Sequence, residues 1–386
     1  MNKVLISLAI LPVLFSCGKD RGIDRVADDV FNLAACQLKQ LDTNLSDGRM
    51  PRTVENGKLV TSSIKWWCSG FYPGSLCLTA IYTGDEGVAL LADKYTHYLD
   101  SLLNYPLSHD VGFMLNCSFG NHLILRGDPS DSLILMNGAS ALAGRFSPVT
   151  GTTRSWDHGK WKWPVIIDNM MNLELLMRFG TEEERQMAIS HADKTILNHF
   201  RPDYTTWHVL DYDPETGEVI GKQTHQGLSD DSEWARGQAW ALYGYTMMAE
   251  QCADKGYRDA YRRYLKQAKH IARMLFSRLP EDGVPIWDFD APASDPRDAS
   301  AAAIMASAFI ELSRLTCGCF SHRCLKTAET QLLTLASDEY LSKEGDNYGF
   351  LIKHCVGNLP GGSEVDVPLT YADYYFLEAL MRHKNL

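Results

Sequence analysis

The feature that most constrains this chain is an alternation between two kinds of helical segment. Twelve stretches carry apolar residues at the helical period, beginning near Ile23, Gly70, Glu86, Asp110, Ser130, Asp168, Glu183, Asp231, Tyr257, Asp298, His322 and Thr370. The odd-numbered ones are mostly amphipathic with a charged face, as in Tyr257 to Leu279. The even-numbered ones are apolar or small nearly all round, as in Phe71 to Tyr82 and Ala299 to Leu312. A helix that is apolar all round must be buried. No single hairpin of one solvated and one buried helix can cover its own apolar surface, whereas six hairpins closed into a ring can. The pattern predicts an all-α fold, an (α/α)6 toroid with six helices inside and six outside. It shows no obvious linker, so one domain is expected from about residue 22 to 386. Strand signals are sparse. The polar, turn-rich stretch from Pro202 to Asp230 interrupts the pattern, and the fifth segment, Ser130 to Phe146, carries little charge for an outer helix.

The first seventeen residues read as a leader. Met1-Asn2-Lys3 is a short basic start, and Val4 to Phe15 is an apolar run too short for a permanent span. It ends in Leu14-Phe15-Ser16-Cys17, which resembles a bacterial lipobox. Residues 1–17 are therefore expected to be a lipoprotein signal peptide with Cys17 as the lipidated residue. That places the protein in the bacterial cell envelope, as a periplasmic or outer-membrane lipoprotein touching membrane only through its anchor. Net charge is −11 and no stretch reads as strongly basic, which argues against nucleic-acid binding. An acidic protein still binds an anionic sugar where its pocket carries a cation. Of the ten cysteines, nine remain after Cys17, and most lie in apolar stretches, as buried free thiols do. Cys317-x-Cys319 with His322 and Cys324 matches no standard zinc spacing, and neither metal nor cofactor is implied.

The buried helices carry their unusual residues at their N-terminal ends: Trp66-Trp67 and Phe71, His109-Asp110, Asp168, Gln226 to Arg236, Trp287-Asp288 and Arg297-Asp298. In a toroid those ends converge at one mouth, where a pocket is expected. Asp110, Asp168, Asp231 and Asp298 each stand at a helix start, where aspartate commonly caps. His109, Asp110 and Asp168 would nevertheless meet beside Trp156 and Trp240, and carboxylates in an aromatic cleft suit acid–base work, one raising the proton affinity of the other. Arg236, one turn into an apolar helix, needs an anion from the protein or from a ligand. His208 and Gln226 are donors on the irregular segment.

Several runs together resemble the unsaturated glucuronyl hydrolases, glycoside hydrolase family eighty-eight. They are WCSGFYPG at 67–74, HDVGFM at 109–114, IDNMMN at 167–172, QGLSDDSEWARGQAW at 226–240, and WDF at 287–289 with RDAS at 297–300. The resemblance runs in order from about residue 25 to the C-terminus and implies the same (α/α)6 fold. It implies Asp168 as general acid and base and Asp110 as its carboxylate partner. His109, Trp67, Trp156, His208, Gln226, Arg236 and Trp240 would be substrate-binding. It further implies that the enzyme hydrates the C4=C5 enol ether of a terminal unsaturated uronic acid on lyase-generated glycosaminoglycan oligosaccharides. Asp110 is expected to hold Asp168 protonated by like-charge repulsion against the pull of the helix N-terminus. The Gly361-Gly362-Ser363 run is placed beyond the scissile bond. The rival readings are an unsaturated rhamnogalacturonyl hydrolase acting on pectin fragments and a non-catalytic surface glycan-binding lipoprotein.

Overall fold

The computed structural model describes residues 21–104 and 108–386, so the leader and Cys17 lie outside the described residues. Twelve α-helices appear among the described residues. The outer set is α1 (Arg21–Thr43), α3 (Glu86–His97), α5 (Pro129–Ala143), α7 (Glu182–Asn198), α9 (Arg258–Arg278) and α11 (Gly318–Leu335). The inner set is α2 (Phe71–Thr83), α4 (Val111–Arg126), α6 (Asn169–Phe179), α8 (Ala235–Lys255), α10 (Ala299–Arg314) and α12 (Thr370–Lys384). Helix α2 packs on α4, α4 on α6, α6 on α8, α8 on α10, α10 on α12, and α12 returns to α2. The ring is closed, and the fold is the (α/α)6 toroid that the alternation requires.

The two burial patterns have the expected origin. Every residue of α10 from Ala299 to Ser313 is buried, and its many alanines let α8, α11 and α12 approach from three sides. Helix α9 buries Ala260, Tyr264, Ala268, Ile271 and Leu275, one face at helical spacing, and leaves its charges outside. Helix α5 keeps its outer position with Leu133 and Met136 exposed, which is why its charge pattern is weak. Close approach is set by glycine where α2 begins. A Cβ at Gly70 would lie 2.2 Å from the Met114 carbonyl oxygen, so only hydrogen lets the start of α2 rest on the α4 backbone.

Two helix starts differ from expectation. Helix α8 begins at Ala235 rather than near Asp231, because the Asp288 carboxylate holds the preceding segment out of helix by accepting from the Leu228 amide and the Ser232 hydroxyl. Helix α11 begins at Gly318, ahead of His322.

The sequence pattern missed nine short strands among the described residues: β1 (Arg49–Glu55), β2 (Lys58–Ser63), β3 (Phe146–Ser147), β4 (Thr152–Thr153), β5 (Pro164–Ile166), β6 (Val209–Tyr212), β7 (Val219–Gln223), β8 (Cys355–Asn358) and β9 (Ser363–Val367). They pair antiparallel as β1–β2, β3–β4, β5–β6–β7 and β8–β9. The turn-rich stretch after Pro202 is thus largely the β6–β7 hairpin. All these hairpins lie in the links that lead into inner helices, so they gather at the N-terminal mouth. The opposite end of the barrel receives the start of α1: Asp28 accepts from Tyr82 at the end of α2 (2.5 Å) and faces Lys384 at the end of α12 (3.7 Å).

Candidate active site

Aspartate at a helix start ordinarily accepts a backbone N–H. Asp85, Asp128 and Asp298 do so for α3, α5 and α10, accepting from Val88, Ser130 and Ser300. Asp110 and Asp168 precede α4 and α6 without any such bond. Both instead line a cavity of about 370 Å³ at the mouth. Capping therefore explains Asp298 but neither of the other two. Asp231 lies exposed, ahead of α8, and caps nothing.

The surroundings of Asp168 are unusual for a carboxyl. Its Oδ2 lies 3.8 Å from His208 Nε2, and neither atom has a hydrogen-bond partner although both are buried. His208 Nδ1 accepts from the amides of His225 (3.1 Å) and Gln226 (3.2 Å), which leaves the ring proton on Nε2, facing Asp168. Burial holds His208 well below its ordinary range, so the ring is neutral. Leaving such groups unpaired costs about 1–3 kcal/mol each, which a structural role alone does not explain.

Asp168 is raised from 3.8 to about 7. Burial is the first cause, while Arg236 is the strongest influence in the opposite direction. The backbone N–H at the helix start and the Trp240 indole N–H also lower it, and Asp110 adds a smaller upward push. The expected raising effect does win, but the expected cause is corrected: desolvation supplies it, not chiefly the neighbouring carboxylate. Asp110 is occupied by two donors, its Oδ1 lying 3.3 Å from His109 Nε2 and its Oδ2 accepting from Ser108 Oγ at 2.5 Å. Asn172 Nδ2 faces His109 Nδ1 at 3.5 Å while Asn172 Oδ1 accepts from the Phe113 amide, so His109 also turns its Nε2 proton outward.

Arg236 is buried in the pocket wall between the rings of Trp234 and Tyr371. The protein supplies its anion: Nη1 reaches Asp298 at 3.3 Å and the Val356 carbonyl, and Nη2 donates to the Gly357 carbonyl at 2.7 Å. Gln226 Nε2 donates to that same Gly357 carbonyl at 2.9 Å. Trp67 packs edge-on to Phe71 and Phe113, and Trp156 also lines the cavity, with its indole N–H unpartnered.

Of the sequence-derived residues, Trp67, His109, Asp110, Trp156, Asp168, Gln226 and Arg236 line one cavity, with His208 at its floor. Trp240 is the exception. It is wholly buried behind Phe113 and Tyr375 and does not line the cavity, with its indole N–H on the Asp168 side. Ser363 also reaches the cavity. The sequence did not reveal Arg52, His225, Asn358, Glu364 and Tyr371 as wall residues. Tyr371 stands at the start of the last inner helix, where the rule of N-terminal ends would have found it. Arg52 gave no signal, because its strand was not legible; it pairs with Glu364 at 2.5 Å and covers the Trp66 ring. The cysteines of the described residues are free, with Cys317 and Cys319 exposed and Cys324 buried, and no three His, Cys, Asp or Glu among the described residues are placed to hold a metal.

A closed helical toroid with a buried, unpaired acid in an aromatic-walled cleft is the architecture of a helical-barrel glycoside hydrolase. No family model matches the sequence. It is 42% identical over 352 residues to the unsaturated glucuronyl hydrolase of Formosa agariphila, covering 87% of this chain and 85% of that protein. It is 32% identical over 376 residues to the unsaturated glucuronyl hydrolase of Bacillus sp. strain GL1, covering 92% and 94%. The structure superposes on that of an unsaturated glucuronyl hydrolase specific for heparin with a TM-score of 0.89 and 42% identity, over 94% of this chain and 98% of the other. A Bacillus sp. GL1 structure, described as responsible for the degradation of glycosaminoglycan, gives 0.84 at 31% identity over 93% and 96%. The chain belongs to the unsaturated glucuronyl hydrolases, and it is a glycosidase.

Proposed function

We propose that this enzyme releases the terminal 4,5-unsaturated uronic acid from lyase-generated glycosaminoglycan oligosaccharides, with Asp168 as the general acid and then the general base. The observation that carries the reading is the Asp168 carboxyl itself: buried, uncapped, with its Oδ2 lacking a hydrogen-bond partner, and titrating near 7 beside a neutral histidine. A group poised there gives and takes a proton near neutral pH. Glycosaminoglycan is favoured over pectin by the heparin-specific and glycosaminoglycan-degrading relatives, and catalysis over mere binding by the family.

The substrate ring carries a C4=C5 double bond conjugated to its carboxylate and joined to the ring oxygen. Asp168 donates its proton to C4, leaving a cation shared by C5 and the ring oxygen. Water adds at C5 and gives a proton back to Asp168. The resulting hemiketal opens at the bond between C5 and the ring oxygen, and the neighbouring sugar leaves C1 as its alcohol. The anomeric carbon is never attacked, so carboxylate spacing carries no stereochemical rule here. Arg236 faces the substrate carboxylate, Trp67 and Trp156 flank the ring, and Asp110 with His109 bounds the pocket beside the acid. Unsaturated heparin and chondroitin disaccharides mixed with the protein should lose their conjugated ultraviolet absorbance. Persistence with both, and loss with an unsaturated rhamnogalacturonan disaccharide, would transfer the enzyme to pectin.

The Leu14-Phe15-Ser16-Cys17 run supports lipidation at Cys17 and a place in the cell envelope. With α1 starting at the end of the barrel away from the cavity, such an anchor would leave the mouth facing away from the membrane. Metabolic labelling with an alkynyl fatty acid should mark the wild type but not Cys17→Ser; equal labelling would remove the anchor.

A further inference from the structure

The outer face of α9 is basic in a way the linear sequence conceals. Between Ala260 and Pro280 there are six Arg or Lys and no Asp or Glu, in a chain of net charge −11. Apolar residues separate them along the sequence, so they read as dispersed until the helix winds. Arg262, Lys266, Lys269 and Arg273 then fall at intervals of four, three and four and form one stripe about 17 Å long.

Little neutralises that stripe. Arg263 and Arg278, on its flanks, are paired with Asp193 and Glu233. Within it Arg262 alone approaches a carboxylate, Asp259 at 3.5 Å, with both side chains largely in water, where such a pair contributes little. Lys269 and Arg273 lie over the Phe320 ring instead, and no carboxylate of the described residues pairs with Lys266, Lys269 or Arg273. An open groove of about 420 Å³ runs beside them, lined also by Tyr261 and His270. After burial, the next influences holding His270 below its ordinary value are Arg273, Lys266 and Lys269, and no acid offsets them. Exposed Arg323 and Lys326 continue the positive surface onto α11.

We propose that this face of α9 is a second, non-catalytic binding site for a sulfated glycosaminoglycan chain. The proposal rests on the reading that the pocket consumes fragments of such a chain. A linear polyanion matches a linear row of cations, and the rest of this acidic protein repels it. The stripe also points toward the mouth, since Arg278 at the end of α9 bonds Glu233 just before α8. A membrane surface fits less well. The apolar face of α9 is buried in the barrel, leaving nothing to insert, and the helix runs along the side wall rather than across an end.

The test uses the full-length chain and an end-labelled saturated heparin oligosaccharide, which has no C4=C5 bond for the pocket to process. At about 0.15 M salt, where exposed charges act over only about 8 Å, the wild type should bind. R262Q/K266Q/K269Q/R273Q should bind at least tenfold more weakly while keeping its kcat/KM on an unsaturated disaccharide, and R262K/R273K should keep both. Equal binding by the glutamine variant, or no binding by the wild type, overturns the proposal. So does cosedimentation with phosphatidylglycerol vesicles that falls in the glutamine variant while heparin binding does not. If the wild type hydrolyses no unsaturated glycosaminoglycan disaccharide yet the glutamine variant loses heparin binding, the pocket reading fails and the second site stands.

Discussion

Burial of Asp168 has a cost in stability whose size and pH dependence can be worked out. The group titrates near 7 in the folded protein and near 3.9 in an unfolded chain. Below about pH 4 both states hold the proton, and the group costs nothing in ionisation. Between about 4 and 7 the unfolded chain releases a proton that the folded protein keeps, so stability falls as pH rises and levels off above 7. Three pH units at about 1.4 kcal/mol each amount to roughly 4 kcal/mol. Its side chain is only 14% exposed, so solvent screens little of this. Asp168→Asn keeps the shape and removes the ionisation. Its stability relative to wild type should therefore climb by about 4 kcal/mol between pH 4 and pH 8, equivalent to on the order of 5 °C in a protein of this length. Asp373 and Glu250, both also raised to about 7, titrate in wild type and variant alike and cancel in the difference. Urea unfolding of both proteins from pH 4 to pH 9 measures it, with activity assayed in parallel. A difference that stays flat with pH, or grows toward acid, would refute the raised proton affinity of Asp168.

Asp110→Asn should move the alkaline limb of the pH–rate profile downward by less than about one unit, since burial persists without it; a collapse of that limb toward pH 4 would restore like-charge repulsion as the main cause. Arg236→Lys should raise KM for an unsaturated disaccharide at least tenfold, because an ammonium cannot bridge Asp298 and two carbonyls while lying between two rings; steady-state kinetics at one pH will show it. Gly70→Ala should destabilise the fold by about 1–3 kcal/mol, read as a lower urea midpoint, because its methyl meets the Met114 carbonyl.

The sequence by itself determined the ring. Burial periodicity is a local property written into each segment, and helices apolar all round, such as α10, have few ways to be covered. All twelve segments accordingly became helices, with starts misplaced only at α11 and at α8, where the distant Asp288 carboxylate holds the preceding chain. The convergence of inner-helix starts followed from the ring, which is why Asp110, Asp168 and Arg236 were visible as neighbours. Tertiary structure alone decided what each of those aspartates does. Asp298 and Asp168 occupy the same kind of position in sequence, yet one caps its helix and the other is left unpaired. The difference lies in groups distant along the chain: Arg236 and the Val356 amide reach Asp298, and the His208 ring and the Trp240 indole surround Asp168. The mouth hairpins were equally hidden, because strands of two to seven residues carry too little periodicity to read, and Arg52 and Glu364 entered the wall with them. Proton affinity belongs to the same category: it depends on how much water the fold removes, and no residue carries that information alone.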